Sequence, residues 1–182
     1  MESRDRLLAI MKEKSHERGQ FVLTSGRKSD FYVDGKQTTL NAEGSYLVGK
    51  IFFDCIQASD VRIEGVGGLS LGADPIVTAI SVISYLENHP IQAFIIRKEP
   101  KKHGKSLWVE GGKNLKEGAK VTIVDDVVTT GGSTLKAVHR AIEEGFEVVK
   151  VMALVDREEG GRENLISEGY QLEAIFTKKD FL

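Results

Sequence analysis

Two adjacent acids that end an apolar run and precede a loop of small residues form the most distinctive chemical feature of this sequence. Residues 121–124 read VTIV, Asp125 and Asp126 follow, and residues 129–134 read TTGGST. Glycines let a backbone approach a ligand closely, and the N–H groups at the start of a helix bind phosphate. Carboxylates accept hydrogen bonds from sugar hydroxyls and also suit the coordination shell of magnesium. The stretch therefore indicates a site for a phosphorylated sugar, with ribose 5-phosphate as the best fit.

Each half of this stretch also has a plain structural explanation. Two acids can simply end a strand, and Gly131 with Gly132 can form an ordinary turn. The combination within one short window after an apolar strand is more specific than either half. It is not a P-loop, because the glycines are not followed by a lysine and a hydroxyl residue.

A second feature is the strongly basic stretch at residues 97–105, which reads RKEPKKHGK. Its cationic side chains are suited to neutralising negative charge that builds on a departing group. A run of charges on its own is more often a solvated surface, so that alternative stays open at this point.

The composition narrows the class of protein. A chain of 182 residues is most simply a single domain, here taken as 1–182. The net charge is −2, so we expect no nucleic acid and no acidic membrane surface as a partner. Cys55 is the only cysteine, which leaves no internal disulfide. The charged N-terminal stretch lacks the apolar core of a signal peptide, and we expect a cytoplasmic protein.

The spacing of apolar residues predicts the elements that must position these groups. We expect an amphipathic helix over about 4–16 that ends near Gly19, then two short strands around an SGRKS turn. Asn41 is the expected cap of a helix that runs to about residue 57. Further helices are expected at about 76–86 and 134–144, and strands at 61–68, 91–97, 120–126, 147–156 and 170–177.

Nearly continuous apolar strands that alternate with helices are typical of a parallel sheet covered on both faces. The predicted fold class is α/β, an open and mainly parallel sheet flanked by helices, with a small N-terminal helix and strand subdomain at about 1–40. Ligands of such sheets bind beyond the carboxyl ends of the strands, where Asp125 and Asp126 are expected to lie. The long polar stretch 98–118 interrupts the pattern. It is either a functional loop, a surface insertion, or an extra hairpin in which KSLWVEGG supplies a strand.

The stretch VTIVDDVVTTGGST resembles the signature of the type I phosphoribosyltransferases, which bind phosphoribosyl pyrophosphate (PRPP). The resemblance implies that Asp125 and Asp126 contact the ribose 2- and 3-hydroxyls and belong to the catalytic groups. It implies that the following loop binds the 5-phosphate, and that Mg²⁺ is the cofactor, held mainly through PRPP with no direct protein ligand. The loop residues concerned are Val127, Val128, Thr129, Thr130, Gly131, Gly132 and Ser133.

RKEPKKHG resembles in particular the catalytic loop of the orotate phosphoribosyltransferases. This resemblance implies that Arg97, Lys98, Lys101 and His103 contact PRPP, with Lys101 and His103 as catalytic residues. It implies a flexible loop, and a homodimer in which this loop is shared across the interface. For His103 the alternative is an ordinary surface histidine.

Two further segments resemble the same family. TSGRKSDFYVDGK is similar to its N-terminal segment, and VDREEGG places Arg157 where the family binds orotate. A guanidinium pairs with a carboxylate such as that of orotate in a planar, bidentate way. Thr129 matches the other orotate-binding position, and the alternative for Arg157 is an ion pair with Glu158 or Glu159. The chain departs from many orotate enzymes at Thr24 and Leu71, where they have lysines.

The resemblance implies a pentosyltransferase that moves ribose 5-phosphate from PRPP to orotate, giving orotidine 5-monophosphate and pyrophosphate in de novo pyrimidine biosynthesis. A purine or uracil phosphoribosyltransferase would keep the acid pair but lack the segments at 25–29 and 97–104. A non-catalytic regulator that senses PRPP would carry a DNA-binding domain or a strongly basic face. A dinucleotide enzyme is suggested by Gly65, Gly67 and the acid Glu87. The match is weak, because Ser70 replaces the third glycine of that motif.

Overall fold

The computed structural model of this chain describes residues 2–22, 28–100 and 107–182. The strands are β1 (His16–Val22), β2 (Lys28–Val33), β3 (Gly65–Leu69), β4 (Gln92–Ile96), β5 (Val109–Glu110), β6 (Lys120–Val128), β7 (Glu147–Asp156) and β8 (Leu172–Thr177). The helices are α1 (Ser3–Lys14), α2 (Lys36–Thr39), α3 (Ala42–Gln57), α4 (Asp74–Leu86), α5 (Gly132–Glu143) and α6 (Gly161–Ser167).

Strands β3 to β8 form one sheet in the order β5-β4-β3-β6-β7-β8. The neighbours β4, β3, β6, β7 and β8 are parallel, and only the short β5 runs antiparallel, against β4. The predicted fold class, an open and mainly parallel sheet flanked by helices, is confirmed. So is the strand expected from KSLWVEGG, although it contributes only Val109 and Glu110 to the sheet.

The sheet has a hydrophobic core on each face, which is why its central strands are apolar along their length. One core contains Leu7 of α1, Phe52 of α3 and Ile76 of α4. The other lies under α5 and α6 and includes Val138 and Leu165. With helices on both faces, polar chemistry is confined to the strand ends.

The N-terminal strands β1 and β2 pair antiparallel in a separate sheet, as expected, while the turn at 23–27 lies outside the described residues. Phe31 of β2 is buried in the core that also contains Phe181. The Phe31 and Phe181 rings meet edge to face, with their centroids 5.6 Å apart. This packing holds the N-terminal hairpin close to the carboxyl ends of β7 and β8.

Some element boundaries differ from the prediction. The first helix ends at Lys14, and Gly19 lies inside β1, at an irregularity in register between Arg18 and Phe21. Glycine is frequent where the pairing of two strands is irregular, so the signal interpreted as a helix end lies at an irregular point of β1 instead. The short α2 and α6 were not expected from the sequence. The Asn41 cap is confirmed, since its side chain accepts a hydrogen bond from the Gly44 amide at 3.0 Å.

In the part of the chain that the structure describes, no helix combines the length and apolarity needed to cross a bilayer.

Candidate active site

The loop between β6 and α5 presents the start of a helix at the carboxyl edge of the sheet. Gly131 has a φ of +79°, which suits glycine, and a Cβ there would lie 3.0 Å from the Gly161 carbonyl oxygen. The Asn164 side-chain amide supports the loop by donating to the Thr130 carbonyl at 2.8 Å. The first backbone N–H groups of a helix have no partner within the helix. The loop therefore presents free N–H groups in an arrangement that can bind an anion.

Asp125 lies beneath this loop and is only 6% exposed. Its Oδ2 accepts hydrogen bonds from the Thr134 hydroxyl at 2.7 Å and the Ser133 hydroxyl at 3.2 Å. Its Oδ1 accepts a third from the Asp126 amide at 3.0 Å. Burial, with the neighbouring Asp126 charge as the second cause, raises the pKa of Asp125 to about 7. The carboxylate thus ties the end of β6 to the first turn of α5.

Asp126 faces a different set of residues, because successive side chains of a strand point to opposite faces. Its carboxylate lies beside Gly35 and Gly72, where added Cβ atoms would crowd it. Its Oδ2 is 3.9 Å from the Lys36 ammonium, which also pairs with Asp34 at 2.7 Å. The hydrogen bond to Asp34 raises the pKa of Lys36 and keeps the ammonium charged beside the acid pair. Asp126 is therefore the acid that borders the open side of the site.

The sequence places the two acids at the end of the strand, but β6 continues through Val128. Val127 pairs with Val155, and the Val128 carbonyl accepts a hydrogen bond from the Arg157 amide at 2.9 Å. The side chain of Val128 is buried, so only its backbone can face a ligand. The loop between β6 and α5 therefore begins at Thr129, which is partly buried.

Arg97 and Lys98 directly follow β4, whose carboxyl end is at the same edge of the sheet as that of β6. Arg97 donates to Glu110 at 3.1 Å and to the Glu99 carbonyl at 3.3 Å. The basic stretch thus begins at the correct edge for the expected chemistry. Its members Lys101 and His103 lie outside the described residues, as does Thr24.

Arg157 follows β7 and is almost fully buried. Its guanidinium donates to the Phe31 carbonyl at 2.9 Å and pairs with Glu159 at 2.8 Å. The ion pair with Glu159 that the sequence allowed is therefore present, while Glu158 pairs with Lys179 instead. The hydrogen bond from the Arg157 amide to Val128 nevertheless brings this residue next to Thr129. The two expected orotate-binding positions are neighbours in space.

Asp74, at the start of α4, is a polar group near the site that the sequence reasoning missed. Its Oδ1 is buried and has no hydrogen-bond partner among the described residues, and burial raises the pKa of this carboxyl. The Lys98 charge acts in the opposite direction on that pKa. The available signal was an Asp-Pro pair directly after a glycine-rich turn, which is typical of a helix start.

Within the described ranges, no group of three or more His, Cys, Asp or Glu side chains could hold a metal ion.

The comparisons with known proteins agree with this geometry. Residues 73–170 match the family model of the phosphoribosyl transferase domain. Curated orotate phosphoribosyltransferases of Sorangium cellulosum and a Nostoc species are 47% and 48% identical. Those matches cover 98% and 97% of this chain and 93% and 84% of the relatives. A solved orotate phosphoribosyltransferase of Mycobacterium tuberculosis, in complex with PRPP, has a TM-score of 0.79 at 33% identity and 99% coverage of both chains.

The fold and the matched domain define the class as a phosphoribosyltransferase, which makes the chain a pentosyltransferase enzyme. Within that class, the chain belongs to the orotate phosphoribosyltransferase family. The family resemblance drawn from the sequence motifs is confirmed. The purine, uracil, regulatory and dinucleotide alternatives are not favoured by these relatives.

The raised pKa of Asp125 predicts a pH-dependent stability. Because the folded-state pKa of about 7 exceeds the ordinary value of 3.8, folding takes up a proton between those values. Its contribution to the unfolding free energy is full at low pH and is lost as the pH rises through 7. Between about pH 8 and about pH 5, the wild type should gain about 2 kcal/mol relative to Asp125→Asn. Urea unfolding of both proteins at the two pH values measures this difference. Parallel pH profiles would contradict a raised pKa at Asp125.

Proposed function

We propose that this chain transfers ribose 5-phosphate from PRPP to orotate at the cleft formed by the carboxyl ends of β4, β6 and β7. Pyrophosphate leaves, and orotidine 5-monophosphate forms. The proposal rests on one observation: the hydroxyls of Ser133 and Thr134 donate hydrogen bonds to Asp125. These bonds hold the first turn of α5 where its backbone N–H groups can bind a phosphate. We place the reaction in the cytoplasm, as a step of pyrimidine biosynthesis.

The 5-phosphate is assigned to the loop from Thr129 to Ser133, which we call the phosphate loop. Backbone N–H groups at the start of α5 donate to its oxygens, and the Thr130 hydroxyl is exposed for a further hydrogen bond. The Ser133 hydroxyl bonds to Asp125, so Ser133 takes part through its amide first. Val127 and Val128 contribute backbone only, because they lie in β6.

The ribose hydroxyls are assigned to the acid pair, with Asp126 as the direct acceptor. Asp125 already accepts three hydrogen bonds, whereas Asp126 borders the open side of the site. Mg²⁺ prefers oxygen ligands and would be held mainly through PRPP, with no direct protein ligand, and Asp126 is the carboxylate best placed to face it. When bound, the ion takes part of the negative charge of the pyrophosphate.

Orotate is assigned to the space between the N-terminal hairpin and the end of β7. Arg157 and Thr129 are adjacent there, and the Phe31 carbonyl fixes the guanidinium. To bind the carboxylate of orotate, Arg157 must share its donors with Glu159. In this proposal the chain is one domain over 1–182, and the segment of about 1–40 is its base-binding subdomain.

The leaving pyrophosphate is assigned to the basic stretch that follows β4. Arg97 and Lys98 lie at the correct edge of the sheet, and the family resemblance adds Lys101 and His103. Displacement at the anomeric carbon passes through an oxocarbenium-like state, so the protein must stabilise the departing anion and position the base. Cations near the leaving group stabilise the departing anion. Exclusion of water by this segment protects PRPP from hydrolysis.

The active form is proposed to be a homodimer that shares this basic segment. A groove of about 850 Å³ beside the site is lined by exposed apolar side chains, including Leu40, Tyr46, Val82 and Leu86. Apolar patches of this kind mark interaction surfaces. The same groove is lined by Lys36 and Asp74, which border the site. A second copy seated there would reach the pyrophosphate side of its neighbour's cleft.

The activity is tested by the loss of orotate ultraviolet absorbance after PRPP and Mg²⁺ are added, with uracil, xanthine and guanine in parallel. Only orotate should react. Lys101→Ala should lower kcat on the order of a hundredfold and change the KM for PRPP much less, since the lost cation acts on the transition state. Lys113→Ala, which removes an exposed lysine outside the cleft, is the matched control. An unaltered kcat in Lys101→Ala would refute this role, and turnover of another base would refute the assignment of orotate.

The proposed dimer is tested by light scattering during size exclusion. Val82→Glu places a charge in the apolar groove and should convert the dimer to a monomer. Ile166→Glu changes an equally exposed apolar residue outside the groove and should leave the dimer intact.

Sharing of the basic segment is tested by mixing. An equal mixture of the Lys101→Ala protein and the Asp126→Asn protein should regain roughly a quarter of wild-type turnover. Random pairing makes half of the dimers heterodimers, and each of these has one complete site. A wild type that runs as a monomer, or mixed variants that stay inactive, would contradict the proposal.

A further inference from the structure

Trp108, the only tryptophan in the sequence, is held against α5 by two cations of that helix. The Arg140 guanidinium carbon lies 3.7 Å from the centroid of the Trp108 ring, and the Lys136 ammonium lies 5.7 Å from it. Lys136 and Arg140 are four residues apart and therefore share one face of α5. The indole also packs against the hydrophobic core beneath α5. A cation over an aromatic face is an attractive contact, and here it fixes the chain just before β5 to α5.

The start of the basic stretch, at Arg97 and Lys98, is also bound to α5. The Lys136 ammonium donates to the Lys98 carbonyl at 2.8 Å. The Arg97 amide donates to the Trp108 carbonyl at 2.8 Å, and the Arg97 guanidinium pairs with Glu110 at 3.1 Å. The residues on both sides of 101–106 are therefore joined to each other, and both are joined to α5.

Helix α5 begins at the phosphate loop, and Thr134 in its first turn is bonded to Asp125. A helix is a stiff element, so the distance from its first turn to Lys136 and Arg140 is fixed. The contacts with Trp108 and Lys98 thus set where the start of the basic stretch lies relative to the phosphate loop. Neither Lys136 nor Arg140 belongs to the cleft itself.

We infer that Trp108, Lys136 and Arg140 form a positioning cluster that holds Arg97 and Lys98 at a set distance from the phosphate loop, so that one PRPP molecule is bound at both ends. The inference rests on the proposed binding of PRPP by Arg97, Lys98 and the loop. These three residues act through others and touch no substrate. Their loss should therefore weaken the binding of PRPP and leave the binding of orotate unchanged.

The decisive variant is Arg140→Ala, with Arg140→Lys as the conservative replacement and His139→Ala as the control on the same helix. Arg140→Ala should raise the KM for PRPP about fivefold, with an unchanged KM for orotate, because a partly buried cation–π contact is lost. Arg140→Lys should restore most of the affinity, and His139→Ala should match the wild type. Trp108→Phe keeps an aromatic face and should behave like Arg140→Lys, whereas Trp108→Leu should behave like Arg140→Ala.

The fluorescence of Trp108 provides a second readout that is independent of turnover. PRPP titrated into the wild type should change the emission, and Arg140→Ala should shift the apparent Kd by the same factor as the KM. Should the wild type bind PRPP without converting orotate, the proposed function fails, and the inference is judged by these Kd values alone. An Arg140→Ala protein with wild-type Kd and KM for PRPP would overturn the inference, even if its emission spectrum had shifted.

Discussion

The carboxylate of Asp125 is kept almost entirely out of water, in a place where a charge is stable only if donors surround it. Those donors are the hydroxyls of Ser133 and Thr134 and the amide of Asp126. Satisfying Asp125 therefore brings the first turn of α5 onto the end of β6. The loop between them has to turn sharply at Gly131, and it presents its amides to the cleft. The geometry of the proposed phosphate site thus follows from the need to pair one buried acid.

The other parts of the cleft are placed by the sheet. Because β4, β6 and β7 are parallel, their carboxyl ends meet at one edge and bring Arg97, the acid pair and Arg157 to the same side. The N-terminal hairpin then covers the end of β7, where Phe31 accepts from Arg157. Helix α5 joins the two ends of the proposed PRPP site, since it carries the phosphate loop at its start and Arg140 further along.

Much of this arrangement could be predicted from local patterns. The apolar runs of β6 and β7 identify a buried parallel sheet, and Asn41 identifies a helix start, because each signal depends on neighbours in sequence. The opposite orientation of Asp125 and Asp126 was also open to prediction from strand alternation, because the expected strand at 120–126 contains both acids. The continuation of β6 through Val128 was not expected. The contacts of Trp108 with Arg140, and of Arg157 with Phe31, join residues far apart in the chain. No periodicity reports such contacts, so only the structure reveals them.

The central claim is that the pairing of Asp125 builds the phosphate loop, and one binding measurement tests it most directly. Thr134→Val removes the shortest hydrogen bond to Asp125 with little change in shape. The control is Thr122→Val, which removes a hydroxyl of β6 that has no hydrogen-bond partner among the described residues. PRPP is titrated calorimetrically into both variants and the wild type. We expect Thr134→Val to weaken PRPP binding about tenfold, while Thr122→Val binds as the wild type does. A folded Thr134→Val protein with wild-type affinity for PRPP would contradict the account.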